Sequence, residues 1–148
     1  METQCSSSTT KHTTFLALGS NLGEPENNLN RAIVLINKKI GPVISQSSFY
    51  STEPWGFQSE NHFLNAVVKV ETLLNPRQLL LSTQAIERQM GRKHKSSNGI
   101  YKDRIIDIDI LLYDDLIIDE PDLKIPHPLM RERDFVMKPF NELLSNED

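Results

Sequence analysis

The chain has 148 residues, a formal net charge of −4 and a single cysteine, Cys5. That length suits one domain able to bury a core without staples, and one cysteine excludes an internal disulfide framework. The acidic balance argues against a general nucleic-acid binder, and no window approaches about 18 consecutive apolar residues, so the sequence predicts no nucleic-acid partner and no membrane span.

Residues 1–12 (METQCSSSTTKH) are polar and lack the apolar core of a signal peptide. They predict a flexible leader on a single domain over residues 13–148, in a reducing, cytoplasmic setting. Thr14 to Leu18 reads as a short buried strand that runs into the tight turn Gly19-Ser-Asn-Leu-Gly23. From Pro25 to Ile40 the apolar Leu29, Ile33, Ile36 and Ile40 recur at helical steps, with Gly41-Pro42 as the stop. Val43 to Ser51 is strand-like, Thr52-Glu-Pro-Trp-Gly-Phe57 breaks it, and Phe63 to Glu71 alternates with Leu64, Ala66, Val68 and Val70 on one side. Asn75-Pro76 supplies an N-cap and a first helical proline for a helix that ends at Gly91. A basic loop follows: residues 88–104 hold six of the sixteen Lys and Arg and one acid, whereas the last 44 residues hold twelve of the twenty acids.

Next comes Asp103 to Tyr113 (DRIIDIDILLY), a strand by composition, with Tyr113-Asp-Asp-Leu116 turning it into a short partner over Leu116 to Ile118. The order β-α-β-β-α-β predicts an α+β, ferredoxin-like split βαβ fold, an antiparallel sheet with the helices on one face. Asp107 and Asp109 point the same way, about 7 Å apart at Cα. Ile106, Ile108, Ile110 and Leu112 take the other, buried side. The residues alone leave two readings open: a solvated strand face, or a divalent-metal site in which a cation offsets the repulsion of paired carboxylates. A basic loop beside those acids suits a metal-bound polyphosphate.

Three further groups invite function beside their plainer readings. Leu80, Gln84 and Glu87 form one helical stripe, with Arg92 just past the helix end; a solvated face or nucleotide contacts explain it. Thr52, Pro54, Trp55, Phe57, Phe63 and Asn65, with Phe135 further on, make either a peripheral mini-core or a slot for a flat heteroaromatic ligand. Pro126-His127-Pro128, followed by Arg131 and Arg133, is a stiff structural corner or a preorganised phosphate donor. A Walker-type phosphate loop, a protein-kinase motif set and a zinc-like Cys or His spacing are all missing from the sequence.

In combination the motifs resemble a known family. Ala-Leu-Gly19-Ser-Asn-Leu, Ser-Ser-Phe-Tyr50-Ser-Thr-Glu-Pro54-Trp-Gly, Phe63-Leu-Asn65-Ala, Gln84-x-x-Glu87 with Gly91-Arg92, Arg104-x-x-Asp107-Ile-Asp109-Ile-Leu-Leu-Tyr and Ile-Pro126-His127-Pro together resemble hydroxymethyl-dihydropterin pyrophosphokinase of folate biosynthesis, from about Thr14 to Phe140. The resemblance implies transfer of the β,γ-diphosphate of ATP to the hydroxymethyl group of 6-hydroxymethyl-7,8-dihydropterin, with AMP leaving. It implies Asp107 and Asp109 as ligands of two Mg²⁺ ions, acting with Arg92 and Arg104 in catalysis. Thr52, Pro54, Trp55, Phe63, Asn65 and Phe135 would hold the pterin; Gln84, Glu87, Arg92, Arg104, His127 and Arg133 would hold ATP. No obligate protein partner is implied. The chain departs from the family pattern in and around the basic loop, with Lys102-Asp103 before Arg104 where Gly-Pro is usual, His94 in place of a frequent Arg, and Leu129 after Pro-His-Pro.

Two other classes fit less well. A DNA-polymerase-β-like nucleotidyltransferase also pairs Gly-Ser with Asp-x-Asp, but close together in sequence, whereas Ser20 and Asp107 lie 87 positions apart. An RNA-binding ferredoxin-like module would want aromatics, not two carboxylates, on its open sheet face.

Overall fold

The computed structural model describes residues 11–21, 23–52, 63–91, 105–128, 130 and 134–146; at Thr52, Phe63, Asp134, Phe135, Ser145 and Asn146 it describes the backbone only. Strand β1, His12–Ser20, is buried from Thr14 onward, as a central strand covered on both faces must be. His12 therefore belongs to the sheet, one residue earlier than the expected domain start. Helix α1, Pro25–Lys39, opens with proline in its first turn and buries Leu29, Ala32, Leu35 and Ile36 along one stripe. Gly41 follows at φ 157°, so close to the neighbouring chain that a Cβ would collide with the Glu71 carbonyl oxygen. Only glycine fits there.

Strands β2, Val43–Gln46, and β3, Tyr50–Thr52, both pair antiparallel with β4, Phe63–Thr72. The sequence predicts one strand where the fold makes two, because Ser47 is buried between them and turns its hydroxyl to the sheet, accepting from the Val67 N–H at 3.0 Å. Helix α2, Pro76–Gln89, starts on the expected Asn75 cap. Asn75 accepts from the Gln78 N–H at 2.8 Å, and Gln78 accepts from the Asn75 N–H at 2.9 Å, a closed capping box. Strand β5, Asp107–Tyr113, pairs antiparallel with β1. The main sheet runs β2-β4-β1-β5, with β3 also on β4, the order of a ferredoxin-like fold.

The two expected helices share one face. Leu16, Leu18, Ala66, Val68, Val70, Ile106, Ile108 and Ile110 pack there against Leu29, Ile36, Leu79 and Ile86. A third helix, α3 over Asp134–Asn146, covers part of the opposite face, where Val136, Phe140 and Leu143 meet Phe15, Ala17, Val67 and Leu111. Phe15 and Phe140 pack edge to face with ring centroids 5.2 Å apart. The two helices of the expected ferredoxin-like fold do share one face, and the third is an addition to it: apolar residues on both sides of β1 and β4 need cover on both sides. Each fully buried aliphatic side chain contributes about 1.5–3 kcal/mol.

Two expectations are corrected. Leu112 packs with the second cluster, not with the Ile side of its strand. The cause is a register shift: Leu16 faces Ile110 and Phe15 faces Leu112, so Leu111 has no partner across the ladder and the alternation resets. The bulge leaves carbonyls that find other donors. Leu111 O accepts from the His127 N–H at 3.0 Å, and Leu112 O from the Thr14 hydroxyl at 2.6 Å. The segment after Tyr113 does not fold back on β5 as a hairpin either. Asp114, at φ 49°, is tied to β1 through Thr13, and its carboxylate meets the His12 ring at 2.6 Å. The chain then forms a separate two-stranded sheet of β6, Ile118–Glu120, and β7, Leu123–Ile125.

Candidate active site

Strand β5 fixes Asp107 and Asp109 on the sheet face opposite α1 and α2, each half-buried, while Ile106, Ile108 and Ile110 are sunk into the core. Register defines their neighbours. Asp107 lies across from Gly19 and Asp109 across from Ala17; on the other side of β1, Gly19 lies across from Asn65 and Ala17 from Val67. Residues directly paired across a ladder share a face, so Asn65, Gly19 and Asp107 form one row over three strands. At about 4.8 Å per strand the outer two are roughly 10 Å apart at Cα. The middle position has no side chain.

Behind the aspartates stands Glu87 of α2. It is 6% exposed, and its carboxylate accepts from the Ile108 N–H at 2.8 Å. Ile108 lies between the two aspartates, so this bond pins the backbone that aims them. A buried carboxylate needs such a donor, since desolvation without one costs several kcal/mol. The helical stripe read from the sequence is therefore not a solvated face at Glu87. Gln84, one turn earlier, is half-buried.

Asn65 is 5% exposed, and its amide donates to the Tyr50 carbonyl at 3.3 Å. Tyr50 is its register partner in β3, and Thr52 and Phe63 are partners at the end of the same ladder. His127 is half-buried, with its backbone N–H on the β5 bulge. Phe135 is the second residue of α3. Pro54, Trp55, Arg92, Arg104 and Arg133 lie outside the described residues, as do Lys93, His94, Lys95, Tyr101 and Lys102 of the basic loop.

Sequence reasoning overlooked a carboxylate on this face. Glu142 of α3 accepts from the Tyr50 hydroxyl at 2.7 Å, from the Ser48 hydroxyl at 3.0 Å and from the Ser48 N–H at 3.1 Å. The Tyr50 hydroxyl and the Ser48 donors hold the Glu142 carboxyl below its usual range. The same bond and the adjacent negative charge push the Tyr50 phenol up. Tyr50 belongs to the Ser-Ser-Phe-Tyr50-Ser-Thr-Glu-Pro54-Trp-Gly motif, but nothing in the sequence marked Glu142 out from the other acids of the C-terminal stretch.

The donor set suits hard cations. Two carboxylates on one rigid strand supply oxygen ligands, and among the described residues no group of three or more His, Cys, Asp or Glu gathers into a closed cage. Mg²⁺ is typically held that way, by one or two carboxylates with water and substrate phosphates completing its octahedron. No helix among the described residues is long and apolar enough to cross a membrane.

The chain is similar to known proteins in sequence and in fold. The family model described as 7,8-dihydro-6-hydroxymethylpterin-pyrophosphokinase matches residues 15–145. The 2-amino-4-hydroxy-6-hydroxymethyldihydropteridine pyrophosphokinase of Porphyromonas gingivalis is 47% identical over 130 residues, covering 87% of this chain and 88% of the relative. The enzyme of the same name from Aquifex aeolicus is 39% identical over 134 residues, covering 90% and 81%. Among solved structures, the wild-type HPPK-DHPS of Plasmodium falciparum matches with a TM-score of 0.70 at 17% identity, over 90% of this chain and 41% of that one. The last likeness concerns the fold alone, and this chain spans well under half of that longer protein.

Proposed function

The chain belongs to the 7,8-dihydro-6-hydroxymethylpterin-pyrophosphokinase family, and from that premise we propose which of its residues carry the reaction. The enzyme is an ATP-dependent transferase of folate biosynthesis, which moves the β,γ-diphosphate of ATP to the hydroxymethyl group of 6-hydroxymethyl-7,8-dihydropterin. The hydroxymethyl oxygen forms a bond to the β-phosphorus and gives up its proton. The bond from that phosphorus to the bridging α,β-oxygen breaks, and AMP departs with the electron pair.

In this proposal Asp107 and Asp109 hold two Mg²⁺ ions, which when bound offset the charge that develops on the transferring diphosphate. The chain's own part is positional. Strand β5 presents both carboxylates without rotation of the backbone, and Glu87 braces it through Ile108. Thr52, Pro54, Trp55, Phe63, Asn65 and Phe135 receive the pterin, with the Asn65 amide offering donor and acceptor to the ring edge. Gln84, Glu87, Arg92, Arg104, His127 and Arg133 receive ATP; Arg92 and Arg104 flank the transferring group and oppose its charge. The sheet and helices from His12 onward act as one pyrophosphokinase domain, and a single cysteine suits a reducing cytoplasm.

The observation that supports the reading is the row of Asn65, Gly19 and Asp107: an amide and a carboxylate share one sheet face, with a residue that has no side chain between them. The roughly 10 Å between the outer two is room for a flat ring and its hydroxymethyl arm. Incubation with ATP, Mg²⁺ and the hydroxymethyl pterin, followed by identification of the nucleotide product, tests it. AMP is expected. ADP would indicate transfer of a single phosphoryl group and sink the proposed chemistry.

A further inference from the structure

The Glu142 carboxylate makes more bonds than anchoring α3 requires. Val136, Phe140 and Leu143 already bury the apolar side of that helix against the sheet. Glu142 nevertheless accepts from Tyr50 and twice from Ser48, three donors drawn from one three-residue stretch. That stretch leads into β3, where Tyr50 lies across from Asn65 and takes the Asn65 amide on its carbonyl at 3.3 Å. Residue 135 precedes Glu142 by seven positions, two turns of the same helix. One carboxylate thus joins the helix that carries position 135 to the strand whose backbone holds Asn65.

We propose that Glu142 is a positioning residue for the pterin, a clasp that sets the distance between the two walls of its slot. The inference rests on the pterin-pocket reading given above. The clasp acts through Tyr50 and makes no contact with the reacting atoms. Its chemistry is specific: a carboxylate can accept from a phenol and two serine donors together, whereas an amide keeps one good acceptor oxygen, and alanine keeps none. Loss of the clasp frees the Tyr50 side chain and loosens the carbonyl that orients Asn65, so the ring edge meets a less ordered partner. ATP does not use this wall.

Calorimetry with the hydroxymethyl pterin alone and with an ATP analogue plus Mg²⁺ tests the idea on Glu142→Ala, Glu142→Gln, Tyr50→Phe and Asn65→Ala, with steady-state kinetics beside it. Glu142→Ala is expected to raise the pterin Kd and KM at least about tenfold while the nucleotide Kd moves by less than about twofold and kcat changes little. Glu142→Gln is expected to recover much of the loss, and Tyr50→Phe added to Glu142→Ala to cost nothing further. Equal weakening of both ligands, or lower thermal stability with an unchanged pterin Kd, would overturn the clasp as a positioning device. If Glu142→Ala does not fold, Glu142→Gln and Tyr50→Phe decide by the same readout. Asn65→Ala separates the two claims. An unchanged pterin Kd there overturns the pocket reading, whereas a weakened one beside a silent Glu142→Ala overturns the clasp alone.

Discussion

Asn65 and Asp107 are partners of the same residue, Gly19, which separates them across the middle strand of the sheet. A glycine inside a buried strand forfeits β-propensity and side-chain packing, and its usual reason is close approach of a ligand or another backbone. Gly19→Val is therefore expected to raise or preserve intrinsic strand preference while placing a branched side chain between Asn65 and Asp107. Turnover with saturating substrates should fall at least about tenfold, with a melting temperature shifted by only a few degrees. Parallel activity and thermal-unfolding measurements check it; a large loss of stability with normal activity in the folded fraction would show that position 19 is short of packing space and not a ligand's seat.

The aspartates give the sharpest test of the metal assignment. Both leave the sheet on the side away from the Ile core, so their removal opens no cavity in that core. Asp107→Ala and Asp109→Ala should each fold, with turnover reduced at least about 10³-fold, a loss of several kcal/mol in transition-state stabilisation. Full turnover in both variants would return the strand face to ordinary solvent exposure.

Glu87→Ala distinguishes bracing from nucleotide contact. With the carboxylate gone, the Ile108 N–H is left buried without an acceptor, which costs about 1–3 kcal/mol. Denaturant unfolding without any ligand should register that loss, and Glu87→Gln, which keeps an acceptor oxygen, should recover part of it. A role confined to contacting ATP would leave the ligand-free midpoint unchanged.

The strand pattern and the helix caps were legible in the sequence because they are local. Asn75-Pro76 declares a helix start through its own side chain and ring, and the alternation around Asp107 declares a strand face. What escaped depends on residues far apart in the chain. The bulge at Leu111 is set by pairing with Phe15 and Leu16, and it redirects Leu112 in a way that alternation along one strand cannot anticipate. Glu87 was left between a solvated face and a nucleotide contact because its partner, the Ile108 N–H, is a backbone group 21 positions away. Helix α3 has an apolar stripe with Pro139 inside it, a residue that argues against a helix interior locally, yet burial of Val136, Phe140 and Leu143 on the second face outweighs that cost. Glu142 was invisible for the same reason, since its donors Ser48 and Tyr50 lie more than ninety positions earlier.

The Glu142 and Tyr50 pair also predicts a pH window. Glu142 titrates below its usual range in the folded protein, so it contributes stability at pH values above the ordinary glutamate pKa, and that contribution is lost as pH falls through the lowered value. Tyr50 titrates above its usual range; its contribution is present below the ordinary phenol pKa and is lost as pH rises through the raised value. Stability from the clasp is therefore flat between about pH 5 and 9 and declines at both ends. Replacing Glu142 by Gln removes both limbs at once, because the amide neither titrates nor repels a phenolate. Urea unfolding of the wild type and Glu142→Gln across pH 3–11 should show the difference in stability largest in the middle and shrinking toward both extremes. A difference independent of pH would mean that the carboxylate's charge contributes nothing and that its bonds to Tyr50 and Ser48 act as neutral ones.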